Sequence, residues 1–267
     1  MEFVTRRRLV RNAGLATLAG LAGCTTASAT RPTLVQASTT TTALPEFGQV
    51  LRSPEDVDEE VVEDEFAHRS IIATAAVPEI QIFAEADTSS EVTHEMDNPT
   101  ATNGPLVFLT TENNGDWHRV LLPVRPNGST GWVRDSDVQL ASHFYRIDVD
   151  LADFRMRVFE NGRAIFDAVA GVASNNTPTP GGIYYLTELL APTVPNSAYG
   201  AFAYGLSGFS EVFETFNGGP GQLGIHGTND PDTLGTAVSA GCIRLHNDDV
   251  SRLATYLPLG VPVTVRA

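Results

Sequence analysis

The chain of 267 residues contains no lysine; all 17 of its basic residues are arginine. That excludes chemistries built on a lysine amine, among them a pyridoxal Schiff base, a Walker-type phosphate loop and a Ser-x-x-Lys nucleophile. Cysteine is almost as scarce, with only Cys24 and Cys242 present. Because Cys24 lies in an N-terminal targeting context, Cys242 is the one thiol left for chemistry, and no intramolecular disulfide is expected. No apolar run reaches bilayer-spanning length, since the Ala/Gly/Leu-rich stretch from Ala13 to Ala22 is too short for a transmembrane helix. His68, His94, His118 and His143 lack ligand-like spacing. Cys242, His246 and His226 are the one conceivable zinc set, without a further ligand cluster. No metal and no cofactor are therefore expected.

What the chain does have is acid. Its 32 Asp and Glu residues give a formal charge of −15. Cleavage before Cys24 would remove four arginines and one glutamate, leaving 13 Arg against 31 acidic residues and a charge of −18. Such a surface repels phosphates and anionic lipid, so no nucleic acid partner is expected, and membrane contact only through an anchor. Residues 1–23 read as a signal peptide, with Arg6-Arg7-Arg8 and Arg11 ahead of the apolar run. Leu21-Ala22-Gly23-Cys24 resembles a bacterial lipobox, and the arginine cluster resembles a twin-arginine export signal. The resemblance implies lipidation at Cys24 and a protein held on the outer face of the cytoplasmic membrane, facing the cell wall.

Residues 24–68 are Thr/Ser-rich and then acidic, the composition of a disordered tether. Short alternating segments follow over 69–140, such as Ile80–Phe83, Trp117–Leu122 and Gly131–Arg134. Asn103-Gly-Pro105, Asn113-Asn-Gly115 and Pro126-Asn-Gly128 supply turns between them. Asp116-Trp-x-x-Val120 and Gly131-Trp-Val133 resemble a bacterial SH3-like domain, which implies a small β-barrel acting as a spacer or wall-binding module. Trp117 and Trp132 are expected in its core. Over 141–267 the pattern stays β-dominated. Asn161-Gly162 between two alternating runs predicts a hairpin. The one helix expected spans Asp248 to Tyr256, capped by Asn247 or Asp248.

The run that carries chemistry is His226-Gly-Thr228 followed by Ser239-Ala-Gly-Cys-Ile-Arg244. A cysteine attacks an acyl carbon as the thiolate and needs a base close by, and His226 is the base within the motif. The Gly227 carbonyl can hold the other ring nitrogen and set the tautomer. Ala240, Gly241 and Cys242 can offer successive backbone N–H groups to an oxyanion, with Gly241 permitting a strained turn. Arg244 suits a carboxylate or a loop-pinning contact.

These residues resemble the signature of the L,D-transpeptidase family (YkuD-like catalytic domain), in which His-Gly precedes Ser/Thr-His-Gly-Cys and an Arg or Asn. Thr179-Pro-Gly181 matches an upstream feature of that family. Ala240 departs from the pattern, standing where the family often has a second histidine, so His226 carries the base role alone. The resemblance implies a mainly β fold: an SH3-like β-barrel, then a β-sandwich-type L,D-transpeptidase catalytic domain with one short C-terminal helix. It implies a monomer acting on peptidoglycan stem peptides, with a Cys242 thioester, loss of D-alanine and a 3→3 cross-link. It places Ser239 and Arg244 at the donor site, and the segments of Tyr199 and Tyr204 at a substrate-covering flap, with packing as the first role for both rings and substrate contact as the second. Family members are acylated by carbapenems at this cysteine. An L,D-carboxypeptidase on the same scaffold and a non-catalytic lipid-anchored wall-binding protein stand as alternatives.

Overall fold

The computed structural model describes residues 68–194, 196–216 and 218–266. The export segment, Cys24 and the expected tether up to residue 67 lie outside the described residues.

Seven strands form a first sheet: β1 (Ser70–Ala75), β2 (Glu79–Phe83), β3 (Val92–Asp97), β4 (Val107–Asn114), β5 (Trp117–Leu121), β6 (Thr130–Arg134) and β7 (Val138–His143). Their order is β3-β2-β6-β5-β4-β1-β7, with every pairing antiparallel. Alternation sets the inner face: Ile80 and Ile82 are fully buried while Gln81 between them is not. They meet Phe108, Val120 and Val133 in one cluster. Trp132 is buried, and Trp117 packs edge-on against Phe83 at 5.2 Å.

The rest of the chain adds β8 (Tyr145–Asp150), β9 (Arg155–Glu160), β10 (Arg163–Val169), β11 (Val172–Ala173), β12 (Gly182–Leu190), β13 (Ala203–Phe209), β14 (Gln222–His226), β15 (Ala237–Ser239), β16 (Ile243–Arg244), α1 (Asn247–Leu253) and β17 (Pro262–Arg266). Eight of these strands form a second sheet in the order β10-β9-β8-β17-β12-β13-β14-β16, while β11 pairs with β15 apart from it. The pairings β8–β17 and β14–β16 are parallel. Asn161 and Gly162 take φ of 48° and 78° between β9 and β10, the positive angles that a two-residue type I′ hairpin requires. Val250 and Leu253 of α1 bury into the same core as Ile147, Met156, Leu206 and Ile225.

The helix starts one residue earlier and ends sooner than the sequence predicts. Its N-cap is His246, whose Nδ1 accepts from the Asp248 N–H at 3.3 Å. Asn247 does not cap the helix because its amide is engaged at the site described below. Residues 254–256 turn out of the helix before Pro258.

The described residues fall within one compact unit. Tyr185 of β12 is completely buried among Ile72, Val107, Leu109 and Leu121 of the first sheet. Gly260, at φ of 84°, presses on Ile72 so closely that a Cβ would lie 2.5 Å from its Cδ1. Burying the apolar part of the Tyr185 ring contributes on the order of 2 kcal/mol, offset by its hydroxyl, which is buried without a hydrogen-bond partner. The first sheet is therefore packed onto the second rather than strung ahead of it as a bead.

Candidate active site

β14 and β16 run side by side with Ile225 opposite Ile243 and His226 opposite Arg244. That register carries Cys242 next to Gly224. A side chain on Gly224 would crowd this spot: its Cβ would lie 4.0 Å from Cys242 Sγ and 2.8 Å from the Tyr204 carbonyl. The turn into Cys242 depends on Gly241, whose φ of 134° lies in a region that favours glycine. Hydroxyl groups hold that turn. Thr179 Oγ1 donates to the Gly241 carbonyl at 2.7 Å, and Ser239 Oγ donates to the Cys242 carbonyl at 2.5 Å. Thr177 Oγ1 donates to the Ser239 carbonyl at 3.1 Å. The Thr177-Pro-Thr179 segment is thus a brace for the cysteine turn.

His226 is buried, and its Nδ1 lies 2.6 Å from the Gly227 carbonyl. A carbonyl only accepts, so Nδ1 carries the proton and Nε2 keeps its lone pair. Burial pulls the imidazole pKa from 6.5 down to about 4; the Gly227 bond opposes this and the Arg244 charge reinforces it. Burial pushes the Cys242 thiol up, against the pull of the Gly224 backbone and Arg244. The resting pair is neutral thiol and neutral imidazole, so a thiolate forms here only as its proton passes to a base, and the free lone pair of Nε2 can take it.

Asn247 positions this histidine and carries no mark in the motif. Its Oδ1 accepts from the Ala201 and Thr228 N–H groups, both at 3.1 Å, and its Nδ2 donates to the Thr228 carbonyl at 2.9 Å. It thereby ties the 199–201 segment to the His226–Thr228 loop. Gly200 and Gly227 both lie against its amide oxygen, and a Cβ at either would collide with it. Gly227 therefore has a second purpose beyond lending its carbonyl to His226. Tyr199 follows from the same clamp: its exposed ring stands edge-on to His226, with centroids 4.9 Å apart.

Hydrogen bonding gives three of the expected site groups partners of their own. Tyr204 is a core residue, 1% exposed, with its hydroxyl donating to the Leu257 carbonyl at 3.4 Å. Alternation along β13 turns Ala203 and Gly205 to the other face. Ser239 is buried, and its hydroxyl both donates to Cys242 O and accepts from the Gly241 N–H at 3.2 Å. It shapes the turn from inside, and the Gly241 N–H is directed at it and not at an oxyanion. Arg244 is half-buried beside His226, and its Nε is buried without a hydrogen-bond partner. Such a group calls for an acceptor. Ala240 is half-buried at the cleft wall.

Two clefts adjoin at the thiol. The smaller, about 100 Å³, runs past Ser239, Ala240 and Arg244, and the larger, about 530 Å³, runs along β12 and β13 past Glu188 and Gly205. His226, Cys242 and Tyr199 line both. The wall shared by the two includes Phe216 and Gly221, in the connection between β13 and β14. That connection is held by the first sheet. Arg125 donates to the carbonyls of Pro220, Ser210 and Phe213 at 2.9, 3.0 and 2.8 Å, with its guanidinium 4.6 Å from the Phe209 ring centre. Asn127 exchanges two bonds of 2.8 Å with the Phe209 backbone. Sequence reasoning finds only a turn at Pro126-Asn-Gly128, because these partners lie more than 80 residues away.

Residues 144–265 match the family model of the L,D-transpeptidase catalytic domain, YkuD. The chain is 35% identical over 121 residues to the YkuD protein of Bacillus licheniformis, an L,D-transpeptidase by assignment. That match covers 45% of this chain and 65% of the relative, so less than two thirds of the relative's length is represented here. Among solved structures, Bd1075 of Bdellovibrio bacteriovorus is 30% identical, with a TM-score of 0.36 over 46% of this chain and 47% of that one. An L,D-transpeptidase of Mycobacterium tuberculosis is 16% identical, with a TM-score of 0.43 over 73% and 98% of the two chains.

Proposed function

We propose, from the premise that residues 144–265 carry an L,D-transpeptidase catalytic domain, that the protein joins peptidoglycan stem peptides through an acyl-enzyme at Cys242. His226 Nε2 takes the thiol proton as sulfur attacks the carbonyl preceding the terminal D-alanine of a tetrapeptide stem. The C–N bond breaks, His226 returns the proton to the departing amine of D-alanine, and a thioester remains on Cys242. A side-chain amine of a second stem then attacks. It gives up its proton to His226, and that proton returns to the departing thiolate, leaving a 3→3 cross-link. Arg244, with its unpartnered Nε in the smaller cleft, is suited to the terminal carboxylate of the donor.

The observation that carries this reading is the thiol at the junction of two clefts, beside a neutral imidazole held in one tautomer. A transpeptidase needs two approaches to one acyl carbon, one for each stem. The same proposal includes export, a lipid anchor at Cys24 facing the wall, and an SH3-like module for the first sheet.

Incubation with a disaccharide-tetrapeptide tests it. The expected products are free D-alanine and a cross-linked dimer. Free tripeptide without dimer would identify an L,D-carboxypeptidase. Unchanged tetrapeptide, with the protein folded and Cys242 reduced, would leave only the non-catalytic wall-binding reading.

A further inference from the structure

A single row of residues crosses the second sheet from Cys242. Glu188 on β12 is paired with Gly205 on β13, and Gly205 is paired with Gly224 on β14. Gly224 in turn adjoins Cys242 through the β14–β16 register. Paired residues share a face, so the row is a carboxylate, two bare glycines and a thiol on one side of the sheet. Gly205 is required by the side chain above it, and Gly224 by the Tyr204 carbonyl of the neighbouring strand, 2.8 Å from where its Cβ would stand. A Cβ on Gly205 would come within 2.7 Å of Glu188 Oε1, and one on Gly224 within 4.0 Å of Cys242 Sγ. Glu188 therefore leans inward over Gly205, while Cys242 Sγ stands at van der Waals distance from Gly224. All four residues line the larger cleft.

The carboxylate is held in place from the first sheet. Thr102 Oγ1 donates to Glu188 Oε2 at 2.7 Å, which leaves Oε1 over the trough. None of the described ion pairs uses Glu188. Beside it, Gln222 Nε2 donates to the Leu206 carbonyl and to Thr187 Oγ1, so that amide is already engaged. Beyond Glu188 the trough continues into a cavity of about 300 Å³ between the sheets, bordered by Thr100, Thr102 and Phe209.

We propose that Glu188, oriented by Thr102, is a subsite for the primary ammonium on the side chain of the donor residue whose carbonyl Cys242 attacks. Gly205 and Gly224 are roughly 5 Å apart on adjacent strands, and with Oε1 2.7 Å from the Cβ position of the one and Sγ 4.0 Å from that of the other, the carboxylate-to-thiol gap is at most about 12 Å. A four-carbon side chain ending in an amine spans about 7 Å from its own carbonyl carbon to its nitrogen at ordinary bond lengths, and a contact of about 3 Å at each end brings its reach to about 13 Å. With Arg244 on the other side of the thiol, the cleft is bipolar: carboxylate to one side, ammonium to the other. This subsite rests on the reading of the chain as a stem-peptide enzyme and names the donor that the reading leaves open.

The test separates binding from turnover. In the Cys242→Ala protein, the affinity of the tetrapeptide L-Ala-γ-D-Glu-L-Lys-D-Ala is compared with that of its Nε-acetyl derivative by calorimetry. Acetylation is expected to weaken binding about tenfold, the scale of one charge-assisted hydrogen bond. Adding Glu188→Gln, which keeps an acceptor for Thr102, should bring the free-amine peptide down to the acetylated one and leave the latter unchanged. Equal affinities before that substitution, an equal loss of both peptides after it, or no binding by either would overturn the subsite. Single-turnover release of D-alanine by protein with Cys242 intact reports on the donor alone and should show the same preference. Discrimination in binding without any D-alanine release would refute the catalytic reading and leave the subsite standing.

Discussion

In the first sheet, the glycines at turns have space around them: a Cβ on Gly115 or Gly128 would meet nothing within 4 Å, and one on Gly104 only ordinary contacts. The second sheet places glycines under side chains. Gly205 lies beneath Glu188, Gly208 against Tyr184, Gly224 beside Cys242 and Gly227 against Asn247. The first sheet's tight glycine, Gly131, abuts the core residue Ile82 and serves packing. The difference shows how the cleft is made. One sheet fills its inner face with Ile, Val and Phe, and the other removes side chains at Gly205, Gly224 and Gly227, leaving a bare floor between a carboxylate and a thiol and space for the Asn247 amide.

The sharpest break of this comparison is at the histidine. Replacing His226 with Ala should slow acylation by ~10²-fold or more, the scale of a lost general base, with the rate measured under single-turnover conditions. The pH profile refines this. With the folded imidazole near 4, the acid limb of kcat/KM should fall near pH 4, and a limb near 6.5 would contradict the burial argument. Stability carries the same signature. Between pH 4 and 6.5 the unfolded chain binds one more proton at this residue, so stability drops as pH falls through that window, by up to about 3 kcal/mol, and is unaffected above it. A His226→Gln protein should lose that slope in denaturant titrations.

Next in size is a matched glycine pair. Gly224→Ala places a methyl 2.8 Å from the Tyr204 carbonyl and 4.0 Å from Cys242 Sγ. Displacing the thiol should lower the acylation rate by on the order of 10²-fold. Gly104→Ala, whose Cβ has only contacts of 3.7 and 3.9 Å, should change stability by no more than about 0.5 kcal/mol and leave the rate unaltered. Equal effects at the two positions would remove the distinction between the sheets.

The smallest effect comes from the residue that joins them. Arg125→Ala deletes three bonds to the wall between β13 and β14. It should destabilise the protein by about 1–3 kcal/mol and reduce kcat/KM roughly tenfold well below the melting temperature. Arg125→Lys should restore little, because one ammonium cannot reproduce a planar fork facing three carbonyls. Full activity in Arg125→Ala would return the first sheet to the status of a spacer.

The contact between His226 and the Gly227 carbonyl was legible because it is local: Nδ1 reaches the very next residue. The hairpin at Asn161-Gly162 was legible for the same reason. Asn247 was misread as a helix cap since nothing nearby in the chain signals that its amide binds Ala201 and Thr228, 46 and 19 residues away. Tyr204 could be read either as a flap residue or as packing, because alternation in Ala203-Tyr-Gly-Leu206 says that two faces exist but not which one meets the core; burial settles it as packing. Arg125 and Glu188 depend on strand register and on packing between sheets, which no short motif encodes.

The central claim is that Cys242 is the acyl carrier, and intact-protein mass spectrometry after exposure to a carbapenem tests it most directly. The folded protein should gain the mass of one carbapenem, localised to Cys242 by peptide mapping, and Cys242→Ala should gain none. An unmodified protein with Cys242 reduced and the second sheet folded, or an adduct that persists in Cys242→Ala, would contradict the account.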